Sequence, residues 1–403
     1  MIAPGPAPGD LRPNPDWASH PLFDRKGWRR LPFNKFAESI NERVEPADAA
    51  EEIYVGLGHL DPENLHIRRW GKGSDVVGTK LCFRKGDIIF GRRRAYQRKL
   101  AVAEFDGICS AHAMVVRAKP EVVVPEFLPF LMMSDRFMNR AVEISVGSLS
   151  PTINWKTLRN EEFDLPPLEQ QRRIAEVLWA VDEMQQRFQD LISALSITTE
   201  SMRRQHFDSA LKNYSSVKLS EAGHWSSGKT PSRGRRDFWD GDYPWVSPKD
   251  MKTELISSSE EWISEKGREA SVTVDVGALL IVVRGMILAH SFPIAITQRP
   301  VAFNQDMKAL IPSNEFSVEY LFNWFKWATP AILGRISDSS HGTKRLSMDD
   351  LFDMRVSRVP LAEQSLFVEQ INKVQDRIST IYQSIEALAK VQRMALISFV
   401  ILS

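Results

Sequence analysis

The 403-residue sequence predicts an α+β protein assembled from two mixed α/β globules, each followed by one long helix. Three observations predict this. The segment PLEQQRRIAEVLWAVDEMQQRFQDLISAL, beginning at Pro167, returns at Pro360 as PLAEQSLFVEQINKVQDRISTIYQSIEAL, an offset of 193 residues. Both copies place apolar residues at every seventh position, the period of a helix with a packing seam. Upstream of each copy, short β-type runs alternate with turn residues and one helical segment, the pattern of a mixed globule. Similarity at one fixed offset across the chain marks an internal duplication.

Taken in chain order, residues 1–27 are proline-rich and read as a disordered tail. The first globule covers residues 28–165. Within it Ala113–Val116 reads as a strand and Phe127–Asn139 as a helix. The next segment, 166–213, is the first long helix, with Pro167 where a first helical turn tolerates proline. Tyr214–Val217 is the joint between halves. The second globule covers 214–358, with strands at Leu279–Val283 and Ile294–Ile296 and a helix at Val318–Ala328. Residues 359–403 form the second long helix. KGDIIFGRRR (85–94) matches VGALLIVVRG (276–285) in pattern: glycine, apolar strand, arginine. GSLSPTINWKTLRNEEFDLP (147–166) likewise parallels HGTKRLSMDDLFDMRVSRVP (341–360).

The seams run Ile174, Val181, Phe188, Leu195 and Met202 in the first helix, and Phe367, Val374, Ile381, Leu388 and Ala395 in the second. Companion positions are Val177, Met184 and Leu191 in the first copy; in the second the stripe moves over by one, to Ile371, Ile378 and Ile385. Each helix covers about 40 residues, roughly 60 Å at 1.5 Å per residue. Alone it would expose its seam, so heptad spacing favours packing the pair as a coiled coil. Apolar residues outside the seam, such as Trp179, are candidates for partner contact.

Bulk properties exclude several classes. Fifty-two Lys and Arg against 51 Asp and Glu leave a net charge of +1, so any nucleic-acid signal is local. Cys82 and Cys109 build no disulfide framework and no structural zinc site. No apolar run is long enough to span a bilayer and no signal peptide opens the chain, so a cytoplasmic location is expected.

The local signal lies in residues 65–100, which hold eleven Lys or Arg and two acids. Lys80, Arg92, Arg93, Arg94, Arg98 and Lys99 stand out, with Trp70, Phe83, Phe90 and Tyr96 interleaved. Clustered cations with aromatics suit a phosphate backbone, and arginine can read guanine edges. The second half repeats the theme at Lys229, Arg235, Arg236, Lys249, Arg284, Lys344 and Arg345. GHWSSGKT (223–230) matches the spacing of a phosphate-binding P-loop, but Pro231 and the Arg-Gly-Arg-Arg run that follows cannot continue the helix such a loop requires. Asp240, Asp242 and Asp250-Met251-Lys252 loosely imitate a metal-dependent nuclease. Eight scattered histidines form no ligand pair.

Together these features resemble the DNA-specificity subunit of type I restriction–modification enzymes. The resemblance rests on LPPLEQQRRIAEVLWAVDE (165–183), VPLAEQ (359–364), GSLSPTINWKTL (147–158) and GKTPSRGRRDFWDGDYPWVSPKDMK (228–252), and covers roughly residues 28–403. Gln170 stands where the family usually has Glu, which Glu363 keeps. The resemblance implies two target-recognition domains, each reading one half of a bipartite double-stranded DNA site. It implies that the long helices pack antiparallel as a spacer and dock two modification (methyltransferase) subunits, with restriction subunits outside. Ser148, Thr152 and Asn154 join the expected DNA-contacting set on the same ground. The chain itself would carry no catalytic, cofactor or metal site; S-adenosylmethionine, Mg2+ and ATP would belong to the partners, and no membrane is expected. Two other readings remain open on residues alone: a single-chain metal-dependent nuclease or methylase–nuclease fragment, and a coiled-coil adaptor that does not bind DNA.

Overall fold

The computed structural model describes residues 24–49, 52–338 and 343–398, with the side chains of 338 and 394–398 outside the description. Most of the expected N-terminal tail therefore lies outside the described residues, as does the side chain at the Ala395 seam position. The chain divides into two compact units, one formed by residues up to Gln189 with those from Tyr382 onward, the other by Asp190–Ile381.

In the first unit a four-stranded antiparallel sheet runs in the order Ala37–Ile40, Met114–Ala118, Ile88–Phe90, Leu100–Val102. A second sheet pairs Ile53–Val55 with Gly107–Cys109 in parallel and extends to Lys80–Phe83 on the antiparallel side. Arg29–Pro32 pairs with Glu162–Leu165, and this two-stranded ribbon delivers the chain into the long helix Leu168–Asn213. The helix expected at Phe127–Asn139 is two helices, Leu128–Met133 and Asp135–Glu143. Ser134 breaks it: its backbone is extended (ψ 151°), and its Oγ accepts from the Phe137 amide, capping the second helix. The core gathers Phe33, Phe36, Phe90, Phe137 and Phe163 with Ile174, Ala175 and Leu178, so the first turns of the long helix belong to this globule.

The second unit repeats the plan. Its five-stranded sheet runs Gly223–Ser227, Met307–Pro312, Leu279–Val282, Ile294–Thr297, Leu255–Ile256. Trp239–Val246 lies parallel to Val301–Phe303, as Ile53–Val55 does to Gly107–Cys109. Ser216–Lys218 pairs with Arg355–Ser357 and leads into the helix Leu361–Ser398. The two helices have 46 and 38 residues, about 69 and 57 Å long at 1.5 Å per residue.

Within the second unit the helices run antiparallel. The His206 ring stacks on Phe367 at 4.0 Å and Phe207 meets the same ring at 5.4 Å, while Tyr214, just past the end of the first helix, donates to Glu363, earlier in the second. The companion stripe of the first helix needs correction. Val177, Met184 and Leu191 are 48, 47 and 45% exposed, whereas Leu178 and Ile192 are buried. These positions are equivalent to Ile371, which is buried, and Ile385, which is half-buried, so the inward-facing register is the same in both copies. The shift between copies suggested by the residue types does not exist in the packing. Trp179 likewise faces its own globule, stacking edge-on with Phe130 at 5.0 Å and donating to the Glu126 carbonyl at 2.9 Å.

The P-loop-like stretch is a strand. Gly223–Ser227 pairs with Met307–Pro312, and the Lys229 amide donates to the Phe303 carbonyl at 2.8 Å, so the backbone N–H that would cradle a phosphate is already used. Asp250 accepts from the amides of Ser247 and Glu260 at 2.8 and 2.6 Å, and Lys252 pairs with Glu260, which is the bonding of a turn and not of a metal site. Among the described residues no cluster of His, Cys, Asp and Glu could hold a metal, and no helix is long and apolar enough to cross a membrane.

Candidate nucleic-acid interface

Each globule builds one exposed arginine turn in the same way. In the first, Ile88, Ile89 and Phe90 are wholly inside, and the chain leaves the sheet as Gly91-Arg92-Arg93-Arg94. Two backbone hydrogen bonds pin that exit to the segment before the next helix: Ile153 N donates to the Arg92 carbonyl at 3.0 Å and Arg94 N to the Pro151 carbonyl at 2.7 Å. Arg93 and Thr152 form the bridge between them. In the second globule, Leu346 N donates to Val283 at 2.9 Å and Gly285 N to Lys344 at 3.0 Å, with Arg284 bridged to Arg345. Arg93 and Arg284 therefore occupy one position of the duplicated fold, as do Thr152 and Arg345.

Arg94 has φ +59°, a strained left-handed conformation for a non-glycine residue; its counterpart is Gly285, at φ +142°. This turns the Arg94 side chain out, and among the described residues its guanidinium has no partner. Arg92 donates to the Ala111 carbonyl at 2.9 Å, and Arg93 reaches Ser150 Oγ at 3.3 Å, so both brace the loop they project from. Ser148 and Asn154 are exposed on that loop, while Thr152 Oγ1 donates to the Ser150 carbonyl.

Three other cations of the basic stretch are occupied. Lys80 is only 7% exposed, its ammonium donating to the carbonyls of Val77 and Gly78. Arg98 joins Glu63 and Asp135 at 3.0 and 2.8 Å and donates to the Met133 carbonyl; Lys99 holds the Leu57 carbonyl at 2.7 Å. These three stitch the globule together and do not present a cationic head to solvent. Phe83 and Phe90 are core residues; Trp70 and Tyr96 are exposed.

In the second globule Lys229, Arg236, Lys249, Arg284 and Arg345 are exposed and Lys344 is half-buried. Arg235 is paired with Asp237 at 2.6 Å and lies over Phe238. Nearby Arg233 stacks on Trp239 at 3.9 Å and bonds Glu261, whose carboxyl is held below the usual range by that guanidinium. It is a structural rivet in the turn.

Sequence reasoning missed Gln171 and Gln364, the last residue of the PLEQQ and PLAEQ motifs. Both are buried, at 1 and 0% exposure. Gln171 accepts from Val124 N and donates to the Val122 and Pro166 carbonyls. Gln364 accepts from Ser317 N and donates to Glu315 and Val359 in the same pattern. Each amide ties the helix start to the loop ahead of the globule's own helix. Their identity across the repeat was the signal that could have found them.

A family model described as the type I restriction modification DNA specificity domain matches residues 71–192 and 212–390. The EcoR124I/EcoR124II specificity subunit of Escherichia coli is 34% identical over 158 residues, 38% of this chain and 39% of that one. The EcoDI specificity subunit of Escherichia coli is 27% identical over 193 residues, 45% of this chain and 41% of its own. The alignments thus span about two-fifths of these relatives. Among solved structures, the S subunit of a type-I restriction-modification system from M. genitalium superposes with a TM-score of 0.57 at 15% identity, covering 93% of this chain and 96% of that one, which is a likeness of fold.

Proposed function

The chain belongs to the type I restriction–modification DNA-specificity family, and from that premise we propose that it is a non-catalytic subunit reading a bipartite double-stranded DNA target. The domain at 28–165 reads one half and the domain at 214–358 the other. The observation that carries the reading is the repeated arginine turn, Arg92–Arg94 against Thr152 and Arg284 against Arg345, pinned by the same backbone bonds. An exposed guanidinium on a braced loop can reach base edges and phosphates at little entropic cost. Arg92, Arg93, Arg94, Ser148 and Asn154 form the first reading surface. Lys229, Arg236, Lys249, Arg284 and Arg345 form the second.

The helices at 166–213 and 359–403 set the separation of the half-sites and dock methyltransferase subunits, with restriction subunits completing the assembly. S-adenosylmethionine, Mg2+ and ATP act in those partners. The stripe Val177, Met184 and Leu191, left exposed by the buried register, supports a docking role for the first helix. The test is domain exchange. Replacing residues 28–160 with the equivalent domain of a relative changes one half of the methylated motif and leaves the other intact, read by methylome sequencing. A change in both halves, or in neither, overturns the modular reading.

A further inference from the structure

A cleft of about 280 Å3 opens in the first globule where the sheet edge meets the arginine turn, lined by Asn41, Arg43, Arg92, Ala111, Met114 and Trp155 among others. Its polar lining is cationic or neutral, and no carboxylate is part of it among the described residues. The acid next in sequence, Glu42, lies 3.9 Å from Arg84. Arg92 is fixed at the wall by the bond of one terminal amino group to the Ala111 carbonyl, which leaves the other terminal amino group without a hydrogen bond among the described residues. Arg43 spends only its Nε, on Asn41 Oδ1 at 3.3 Å, leaving both terminal amino groups to receive an acceptor. Trp155 and Met114 supply an apolar wall.

We propose that this cleft seats one phosphodiester of the DNA backbone, gripped jointly by Arg43 and Arg92. Two guanidiniums on one cleft match a tetrahedral anion, and on a carboxylate-free wall that anion meets no competing carboxylate. The cleft rests on the DNA-reading function proposed above and adds Arg43 to it, a residue outside the basic stretch.

The experiment measures binding of the full chain to a duplex by fluorescence anisotropy across a salt series. Each phosphate contact contributes about 0.9 to the slope of log K against log salt. Arg43→Ala and Arg92→Ala should each lower the slope by about that amount, and the double variant by no more than either alone, because one phosphate is lost once. Additive loss, about 1.8, means two separate phosphates and overturns the shared seat. Arg94→Ala separates this inference from its premise. If it lowers the slope while Arg43→Ala does nothing, the cleft fails alone; if none of the three changes affinity or slope, DNA reading by this face fails too. Methylphosphonate scanning with the unmodified chain, which does not depend on how a variant folds, should find a phosphate whose neutralisation lowers affinity and the salt slope; repeating the scan with Arg43→Ala should abolish that one effect, and its persistence there overturns the seat. Titration with AMP and inorganic phosphate tests the free-ligand source: tight binding lost in Arg43→Ala, with duplex affinity unmoved, overturns the assignment to DNA.

Discussion

The fourth residue of each helix-opening motif shows how a local substitution is absorbed. Glu363 accepts from the Tyr214 hydroxyl at 2.7 Å. Its counterpart Gln170 accepts from the Trp28 indole at 2.9 Å and also donates to the Asp24 carbonyl at 2.8 Å. A carboxylate could not donate, so the amide fits a partner set that offers both a donor and an acceptor. His66 illustrates a residue whose role is invisible in sequence. Its two ring nitrogens lie 2.6 Å from Glu104 and 2.5 Å from Asp182, tying a globule loop to the first long helix. The Asp182 bond, with help from Glu104, raises its pKa despite burial and the opposing charge of Arg68. A raised folded pKa stabilises most below the unfolded value of about 6.5, and the contribution is lost as pH rises through the folded value. The midpoint of thermal unfolding should therefore fall as pH rises above about 6.5, and His66→Gln should flatten that dependence. An equal fall in the variant would place the titrating group elsewhere.

At the scale of the element, the long helices divide into parts that differ in what they bury. Phe367 is 5% exposed and packs among His206, Phe207 and Tyr320. Phe188, also a predicted seam position, is only half-buried. Truncating a fully packed phenylalanine costs about 3–5 kcal/mol, while a partly exposed one loses less buried area and leaves no closed cavity. Phe367→Ala should thus destabilise the chain well beyond Phe188→Ala in urea unfolding. Equal losses would mean that the seam is packed uniformly along its length. The arginine turns were legible as a repeated pattern of glycine, apolar strand and arginine. Which cations they presented was not: Lys80, Arg98 and Lys99 carry the same charge as Arg94, but nearby carbonyls and carboxylates in the fold hold them.

For the whole molecule, the duplication and the spacer make a quantitative expectation. Inserting seven residues in both long helices, after Gln189 and after Ile381, adds about 10.5 Å and nearly two turns, so apolar faces stay aligned. That length corresponds to about three base pairs of B-DNA at 3.4 Å each. Both half-site sequences should persist while the non-specific spacer between them lengthens, with weakened activity because three base pairs also rotate the duplex by about a third of a turn. Sequencing the methylated sites decides it; an unchanged spacer shows that the helices are not the ruler.

The duplication, the two long helices and the locations of both basic turns could be read without coordinates, because each is a periodic or repeated property of the chain. The Pro167 and Pro360 segments and the Arg93 and Arg284 positions announce themselves by recurrence. Which residues are inside, and which charges are free, depends on neighbours distant in sequence. Leu178 is buried and Val177 exposed because the helix is rotated against Phe130 and its neighbours, a rotation that apolar spacing leaves open by one residue. Arg43 and Arg92 line one cleft only because a sheet edge and a turn some fifty residues apart come together in the fold. Gln171 and Gln364 look like helix-surface residues, and become buried knots only where two loops bring unpaired backbone groups to them.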